Sequence, residues 1–328
     1  MTDVAYDALL FDLDGTVYHG PQVIEGAAET VTAVRELGTA VRFVTNNASK
    51  APSAVAEHLR DLGISADTEE VHTSAQAAAG LLRDRLPAGA KVLIVGTASL
   101  GDQISAAGLE PVRTAGDGVS AVVQGHSPET GWADLAEASI VIRAGGLWVA
   151  TNTDSTLPTE RGLMPGNGSM VGALRIATGA EPVVAGKPKP LLFETAARSA
   201  KAKRPLVVGD RLDTDIAGAV AAGLDSLCVL TGIATPATLL TAIPAERPTH
   251  LGADLTALTQ PMDELRVGKQ TGWEISEDSG KDALTVRGEG DKLDLLRALC
   301  DAAWRTGVSQ VRADGDAAAA AVTGLGLA

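Results

Sequence analysis

Short runs apolar on both faces recur along the chain: Leu9 to Phe11, Val41 to Val44, Val92 to Val95, Ala121 to Val123, Leu147 to Ala150, Leu206 to Val208 and Leu227 to Leu230. Such runs predict parallel strands covered on both sides. Between them, Ala27 to Leu37, Pro52 to Leu62, Ser74 to Leu86, Trp132 to Arg143, Pro190 to Lys201 and Asp213 to Ala222 can each form an amphipathic crossover helix. The alternation predicts an α/β fold built of right-handed β-α-β units. From about residue 261 the pattern changes. Gly272 to Ser276 and Leu284 to Arg287 read as strands, and Leu296, Leu299, Cys300, Ala303 and Trp304 follow the spacing of a helix face. Val311 to Ala313 reads as one more strand before an alanine-rich end, Ala317 to Ala321. This predicts a small separate βα unit.

Composition narrows the classes. At 328 residues and 45% hydrophobic, the chain is neither disordered nor fibrous and has room for two or three domains. No apolar run approaches the ~20 residues that span a bilayer, and no basic start with an apolar core precedes Leu9, so a cytoplasmic location is expected. A net charge of −14 leaves no diffuse positive field for nucleic acid or anionic lipid, and 3% aromatic residues offer no base-stacking surface. An anionic substrate needs local cations instead. Cys228 and Cys300 lie in apolar stretches without metal-site spacing and read as reduced core residues.

Ligands of parallel sheets bind where strands end, so polar residues directly after each apolar run are the candidates for chemistry. Phe11 is followed by Asp12-Leu13-Asp14-Gly15-Thr16, Val44 by Thr45-Asn46-Asn47, and Val208 by Gly209-Asp210-Arg211-Leu212-Asp213-Thr214-Asp215. Gly186-Lys187-Pro188-Lys189-Pro190 forms a turn before a helix, and its prolines restrict the backbone around the lysine. Gly15 lets the chain turn so that Asp12 and Asp14 face one cavity. One carboxylate then attacks as a nucleophile while the other, its pKa raised by its neighbour and by burial, delivers a proton. Asp and Gly are also ordinary turn residues, but Asp-x-Asp-Gly-Thr arises by chance only about once in 100 chains of this length.

Asp210 and Asp215 bring further carboxylates to the same edge of the sheet. Two carboxylates ~5 Å apart repel by roughly 3 kcal/mol at an effective dielectric of ~20. A hard divalent cation with oxygen ligands offsets that, and Mg²⁺ fits better than zinc because no cysteine or histidine is near. The competing reading makes Asp213 or Asp215 a helix cap. Thr45 and Asn46 offer a hydroxyl and backbone N–H groups suited to phosphate oxygens, and Lys187 a compact positive charge. The five histidines form no ligand pair, and no Rossmann, P-loop or nucleophile-elbow motif is present.

The segments "FDLDGT", "TNN", "GKPKP" and "GDRLDTDI", in that order, resemble the haloacid dehalogenase superfamily of phosphatases. The insertion between the second and third resembles a type II cap, and "VATNTDSTLP" with "GLMPGNGSMVGAL" resembles the class IIA subtype of the nitrophenylphosphatase and phosphoglycolate phosphatase group. The resemblance implies a Rossmann-like core at 1–78 and 186–260, an α/β cap at 79–185, and an α+β extension at 261–328. Asp12 would form an aspartyl-phosphate, and Asp14 would be general acid and then general base. Thr45, Asn46, Asn47 and Lys187 would hold the phosphoryl group. Mg²⁺ would bind the Asp12 and Asp210 carboxylates and the Asp14 carbonyl, with Gly15, Thr16 and Asp215 in support. Thr151, Asn152 and Asp154 would reach the substrate from the cap.

Composition and tail resemble the actinobacterial glycerol-3-phosphate phosphatases, which makes glycerol 3-phosphate the preferred substrate among small phosphorylated metabolites. Phosphoglycolate, a sugar phosphate or a broad panel are the alternatives, and a non-catalytic binding module on the same scaffold is the rival of another class. The tail's strand, strand, helix, strand order faintly resembles part of a GNAT acetyltransferase without its coenzyme A segment. That suggests a non-catalytic structural or dimerisation module, with a homodimer one assembly it would allow.

Overall fold

The computed structural model describes residues 6–159, 161–277, 280 and 282–328. The chain forms two compact units. One comprises the described residues up to Phe43 with Arg60–Ser65 and Ala197–Ala328; the other comprises Val44–Leu59 and Ala66–Ala196.

In the first unit, strands His250–Gly252, Asp225–Val229, Pro205–Gly209 and Ala8–Phe11 lie side by side in that order, followed by the part of Ala40–Thr45 up to Phe43, all parallel. Every residue of Ala8–Phe11 is buried, as a strand covered on both faces requires. Its register sets Phe11 opposite Val208 on one side and Phe43 on the other. Asp12 therefore begins where its strand stops, and its N–H still donates to Val208 O at 2.8 Å. The helix Ala27–Glu36 turns Ala27, Thr30, Val31 and Val34 inward, the i, i+3, i+4, i+7 stripe of an amphipathic segment.

The helix predicted over Asp213 to Ala222 is instead a wide π-type turn, Leu212–Ile216, running into a short helix, Ala217–Ala221. The N–H groups of Asp215 and Ile216 both donate to Arg211 O, at 3.0 and 3.1 Å. Asp215 is buried inside this turn and does not cap the helix, and Asp213 lies outward in an ion pair with Arg211 at 2.8 Å. One inserted residue in a helical turn is a common way to aim a side chain at a functional site.

The second unit carries its own parallel sheet, ordered Val183–Val184, Leu147–Ala150, Val119–Gln124, Lys91–Val95 and Glu110–Val112. Leu93, Val95, Val122, Trp148 and Ala150 pack there against Ala138, Val141, Ile142, Val171 and Leu174 of helices Trp132–Arg143 and Asn167–Thr178.

The tail contains strands Trp273–Glu277, Leu284–Gly288 and Val311–Ala313, with the first pair antiparallel and the second parallel. Its alanine-rich end forms a helix, Asp316–Gly324. The long helix Lys292–Thr306 buries Leu295, Leu296, Leu299 and Cys300 in one apolar cluster with Leu212, Ile216, Cys228, Leu239 and Leu251. Arg297, also buried, donates from Nε and Nη2 to Leu251 O at 3.1 and 2.8 Å and from Nη1 to Asp294 at 2.6 Å. Trp304 donates to Leu239 O at 2.8 Å. Both cysteines are free and buried, and burial pushes both thiols up; the Asp210 and Asp215 charges add to the effect at Cys228. No helix among the described residues is long and apolar enough to cross a membrane.

Leu299 is fully buried in this shared cluster. Leu299→Ala should destabilise the protein by about 2–5 kcal/mol, read as a lower urea midpoint. His250 is buried against the edge of Tyr6, and desolvation lowers its pKa from the ordinary 6.5. Protonation below the unfolded pKa therefore favours the unfolded chain, so stability falls as pH drops through about 6.5 towards the folded pKa. His250→Gln should flatten that acid-side loss in urea titrations repeated across the range.

Candidate active site

Asp12, Asp210 and Asp215 converge at the carboxyl ends of two neighbouring strands of the first unit. Each is buried, at 8%, 1% and 1% exposure, and one carboxylate oxygen from each lies within 4.8 Å of the others. Among the described residues no other group of three His, Cys, Asp or Glu side chains converges in this way. The supporting contacts are specific. Asp210 accepts from Thr16 Oγ1 at 3.2 Å and from Ile233 N at 2.8 Å, and Asp215 accepts from Arg211 N at 3.1 Å. Gly15 takes a left-handed backbone, φ +90°, and a side chain there would begin 2.6 Å from Asp210 Oδ2. A side chain at Gly232 would clash with the same oxygen. Sequence reasoning missed Gly232 and Ile233, though they follow the strand Asp225–Val229 and the strand-end rule would have reached them.

Three buried carboxylates with oxygen donors alone, and neither thiol nor imidazole among them, fit a hard divalent cation. Roughly 3 kcal/mol of repulsion per pair, for charges ~5 Å apart at an effective dielectric of ~20, is what such an ion would offset. Asp14 differs. Its side chain is exposed, so the burial expected to shape it is not found. The N–H groups of Thr16, Val17 and Tyr18 all donate to Leu13 O, curling the chain so that Asp14 stays on the outside of the turn.

The other predicted residues gather in the second unit. Thr45, buried, ends the strand Ala40–Thr45, and its Oγ1 accepts from Asn47 N at 3.1 Å. Asn47 is exposed, and its Oδ1 accepts from Ser49 N at 2.7 Å in a local turn. Lys187 is 2% exposed; its Nζ donates to Val44 O at 3.3 Å and sits 5.9 Å from the centre of the Phe193 ring. Asn46 Oδ1 accepts from Lys187 N at 2.8 Å, and its Nδ2 donates to Lys187 O at 3.1 Å. Lys189 is exposed in the adjoining turn.

Of the three residues predicted to reach a substrate from the cap, Thr151 and Asn152 are buried, at 0% and 5%. The Asn152 amide donates to Asn46 O at 2.8 Å and so belongs to the framework, while Thr151 is held by its backbone N–H to Gln124 O at 2.8 Å. Asp154 is half-buried and accepts from Asn46 Nδ2 at 3.3 Å. Two contributors were not anticipated: Ser74 Oγ donates to Asn46 O at 2.7 Å, and Asn167 Nδ2 to Asn152 O at 2.7 Å. Asn167 stands between two glycines at a helix start, a signal that was available.

A family model described as haloacid dehalogenase-like hydrolase matches residues 9–110, and a second, HAD-hydrolase-like, matches 184–258. A D-glycerol 3-phosphate phosphatase of Mycobacterium tuberculosis is 53% identical over 308 residues, covering 91% of this chain and 86% of the relative. The chain belongs to the haloacid dehalogenase-like hydrolases.

Within this family, a crystal structure of a glycerol phosphate phosphatase from M. tuberculosis in complex with magnesium superposes with a TM-score of 0.94 at 51% identity, covering 98% of each chain. An acid sugar phosphatase of Staphylococcus aureus is 38% identical over 70% of this chain and 88% of its own length. The tail is described by a third model, a GCN5-related N-acetyltransferase like domain, at 270–327.

If the three carboxylates hold a divalent ion, Mg²⁺ at 100 times its Kd should stabilise this hydrolase by about 2.7 kcal/mol. Asp210→Asn should lose most of that gain. Thermal melts with and without Mg²⁺ check it; an equal gain in the variant would place the ion elsewhere.

Proposed function

We propose that the chain is a Mg²⁺-dependent phosphomonoester hydrolase whose substrate is glycerol 3-phosphate, released as glycerol and phosphate. The observation that carries the reading is the buried convergence of Asp12, Asp210 and Asp215 in a chain 53% identical to a D-glycerol 3-phosphate phosphatase. The mycobacterial structure covers 98% of this chain, whereas the match to the acid sugar phosphatase covers 70% of it.

In this reading Asp12 attacks phosphorus in line and displaces the alcohol, forming an acyl-phosphate. Asp14 protonates the departing alkoxide. It then removes a proton from the water that hydrolyses the acyl-phosphate. The exposed position of Asp14 suits an acid and base that exchanges protons with the medium, while Asp12 lies buried beside the phosphoryl group it would attack. Thr45 and Lys187 hold the phosphoryl oxygens, with the buried ammonium opposing their charge. The Asp12 and Asp210 carboxylates and the Asp14 carbonyl would hold Mg²⁺, with Asp215 in support; when bound, the ion neutralises charge that builds on the phosphoryl group. Gly15 and Thr16 keep Asp210 in place.

Residues 1–78 and 186–260 are the proposed hydrolase core, 79–185 the cap, and 261–328 a non-catalytic extension. Of the cap candidates, Asp154 retains exposed surface for the alcohol end. A cytoplasmic location and a part in recycling the polar heads of glycerophospholipids accord with this substrate. The second reading, a sugar phosphate, is supported by the staphylococcal acid sugar phosphatase.

Phosphate release across glycerol 3-phosphate, phosphoglycolate and sugar phosphates should give the highest kcat/KM for glycerol 3-phosphate. A sugar phosphate that surpasses it would favour the second reading. Chelation with EDTA and the substitution Asp12→Asn should each reduce release to background; full turnover in Asp12→Asn would require another nucleophile.

A further inference from the structure

A side-chain amide can serve a phosphate group only through its two N–H bonds, because its oxygen is an acceptor like those of the phosphate itself. At Asn46 both are committed. Nδ2 donates to Lys187 O at 3.1 Å and to Asp154 Oδ2 at 3.3 Å, while Oδ1 accepts from Lys187 N at 2.8 Å. One side chain thus grips the N–H and the C=O of Lys187, as a neighbouring β-strand would. The Asn46 carbonyl is itself pinned by Ser74 Oγ and Asn152 Nδ2, at 2.7 and 2.8 Å. The approach is close: a Cβ at Gly186 would lie 2.5 Å from Asn46 Oδ1.

We propose that Asn46 is the positioning residue for Lys187, not a phosphate ligand through its side chain, and that Asp154 ties that setting to the loop at 152–155. Lys187's task in this inference rests on the phosphatase reading above. The chemistry selects asparagine. Aspartate keeps the acceptor and loses the donor, serine and threonine are too short to span both peptide groups, and glutamine carries an extra methylene into a packed site. The loop has its own clasp. Gly166 N donates to Ser155 O and Gly168 N to Asp154 O, both at 2.9 Å, Ser169 Oγ to Ser155 O at 2.7 Å, and Asn167 Nδ2 to Asn152 O at 2.7 Å. A displacement of that loop is therefore felt at Asn46, and through it at a lysine that water barely reaches.

The test uses the full chain with two substitutions, Asn46→Ala and Asn46→Asp, and reads both kinetics and amide exchange. In Asn46→Ala, kcat/KM for the phosphomonoester that the wild type hydrolyses should fall by about a hundredfold, the scale of a small misplacement of a reacting group. Hydrogen exchange at the Lys187 amide, followed by NMR, should quicken by about tenfold as its acceptor disappears. Asn46→Asp keeps Oδ1, so the amide should remain protected, while kcat falls because the donor is gone.

Protonation of that new carboxyl restores an O–H donor, so the ratio of variant to wild-type kcat should climb at least about threefold between about pH 8 and about pH 5.5. Asp154 and Lys187 are the charged groups that face it: the first favours the protonated form and the second opposes it, while Ser74 and Asn152 are neutral. If instead both variants raise KM and the Kd for inorganic phosphate together, with kcat, the pH ratio and Lys187 exchange unmoved, the amide is a phosphate ligand and the proposal fails. Should Asn46→Ala not fold, Asn46→Asp decides alone. A wild type that hydrolyses no phosphomonoester would refute the function, and Lys187 exchange in the variants would still decide the positioning.

Discussion

Like charges gathered away from water set the terms for the first unit. Asp12, Asp210 and Asp215 bring oxygens within 4.8 Å of one another at no more than 8% exposure. Such a cluster persists only where hydrogen-bond donors and a cation meet it. The backbone around it supplies the donors. The wide turn at Leu212–Ile216 draws Asp215 back to the Arg211 amide, Ile233 N and Thr16 Oγ1 reach Asp210, and the glycines leave room for the carboxylates to approach. The sheet register then carries the arrangement, since Asp12 begins where Phe11 pairs with Val208. The strands serve as a rigid ruler, and the chemistry is confined to the first residues beyond it.

The second unit solves a different problem, that of holding a buried ammonium in one place. A lysine side chain has four freely rotating bonds, and at 2% exposure it cannot rely on solvent to orient it. Fixing the peptide groups on either side of its Cα sets where that side chain starts, and its burial, the Phe193 ring and the Nζ bond to Val44 O at 3.3 Å restrict the rest. The side chains of Asn46, Ser74, Asn152 and Asn167 form a chain of hydrogen bonds leading to that backbone, with the Asp154 carboxylate joined to it at Asn46 Nδ2.

Much of this was legible in the chain itself. Runs apolar on both faces located the long central strands, and the polar residues following them pointed to Asp12, Asp210 and Asp215, which the structure brings together. What escaped did so for physical reasons. Edge strands such as Val183–Val184 and Glu110–Val112 are too short to show a period. The helix Asn167–Thr178 contains Gly168 and Gly172, which weaken its intrinsic preference, and Asp316–Gly324 is so rich in alanine that no apolar stripe stands out. Asp14 was expected to be buried as a proton donor with a raised pKa, but the turn that Gly15 permits depends on hydrogen bonds to Leu13 O that no periodicity reports. Thr151 and Asn152 carry groups that suit a ligand, and only packing reveals that those groups face inward.

The strand His250–Gly252 closes one side of the first unit's sheet, where unpaired backbone groups would ordinarily meet water. Here Arg297 covers the Leu251 carbonyl, Val267 N donates to Thr249 O, and the leucines of Lys292–Thr306 pack on the apolar surface beneath. Removing the tail from Val267 onward would bare an open strand margin and an apolar patch together, a surface prone to pairing with other chains. The tail thus serves as a seal for the hydrolase sheet as well as a separate fold.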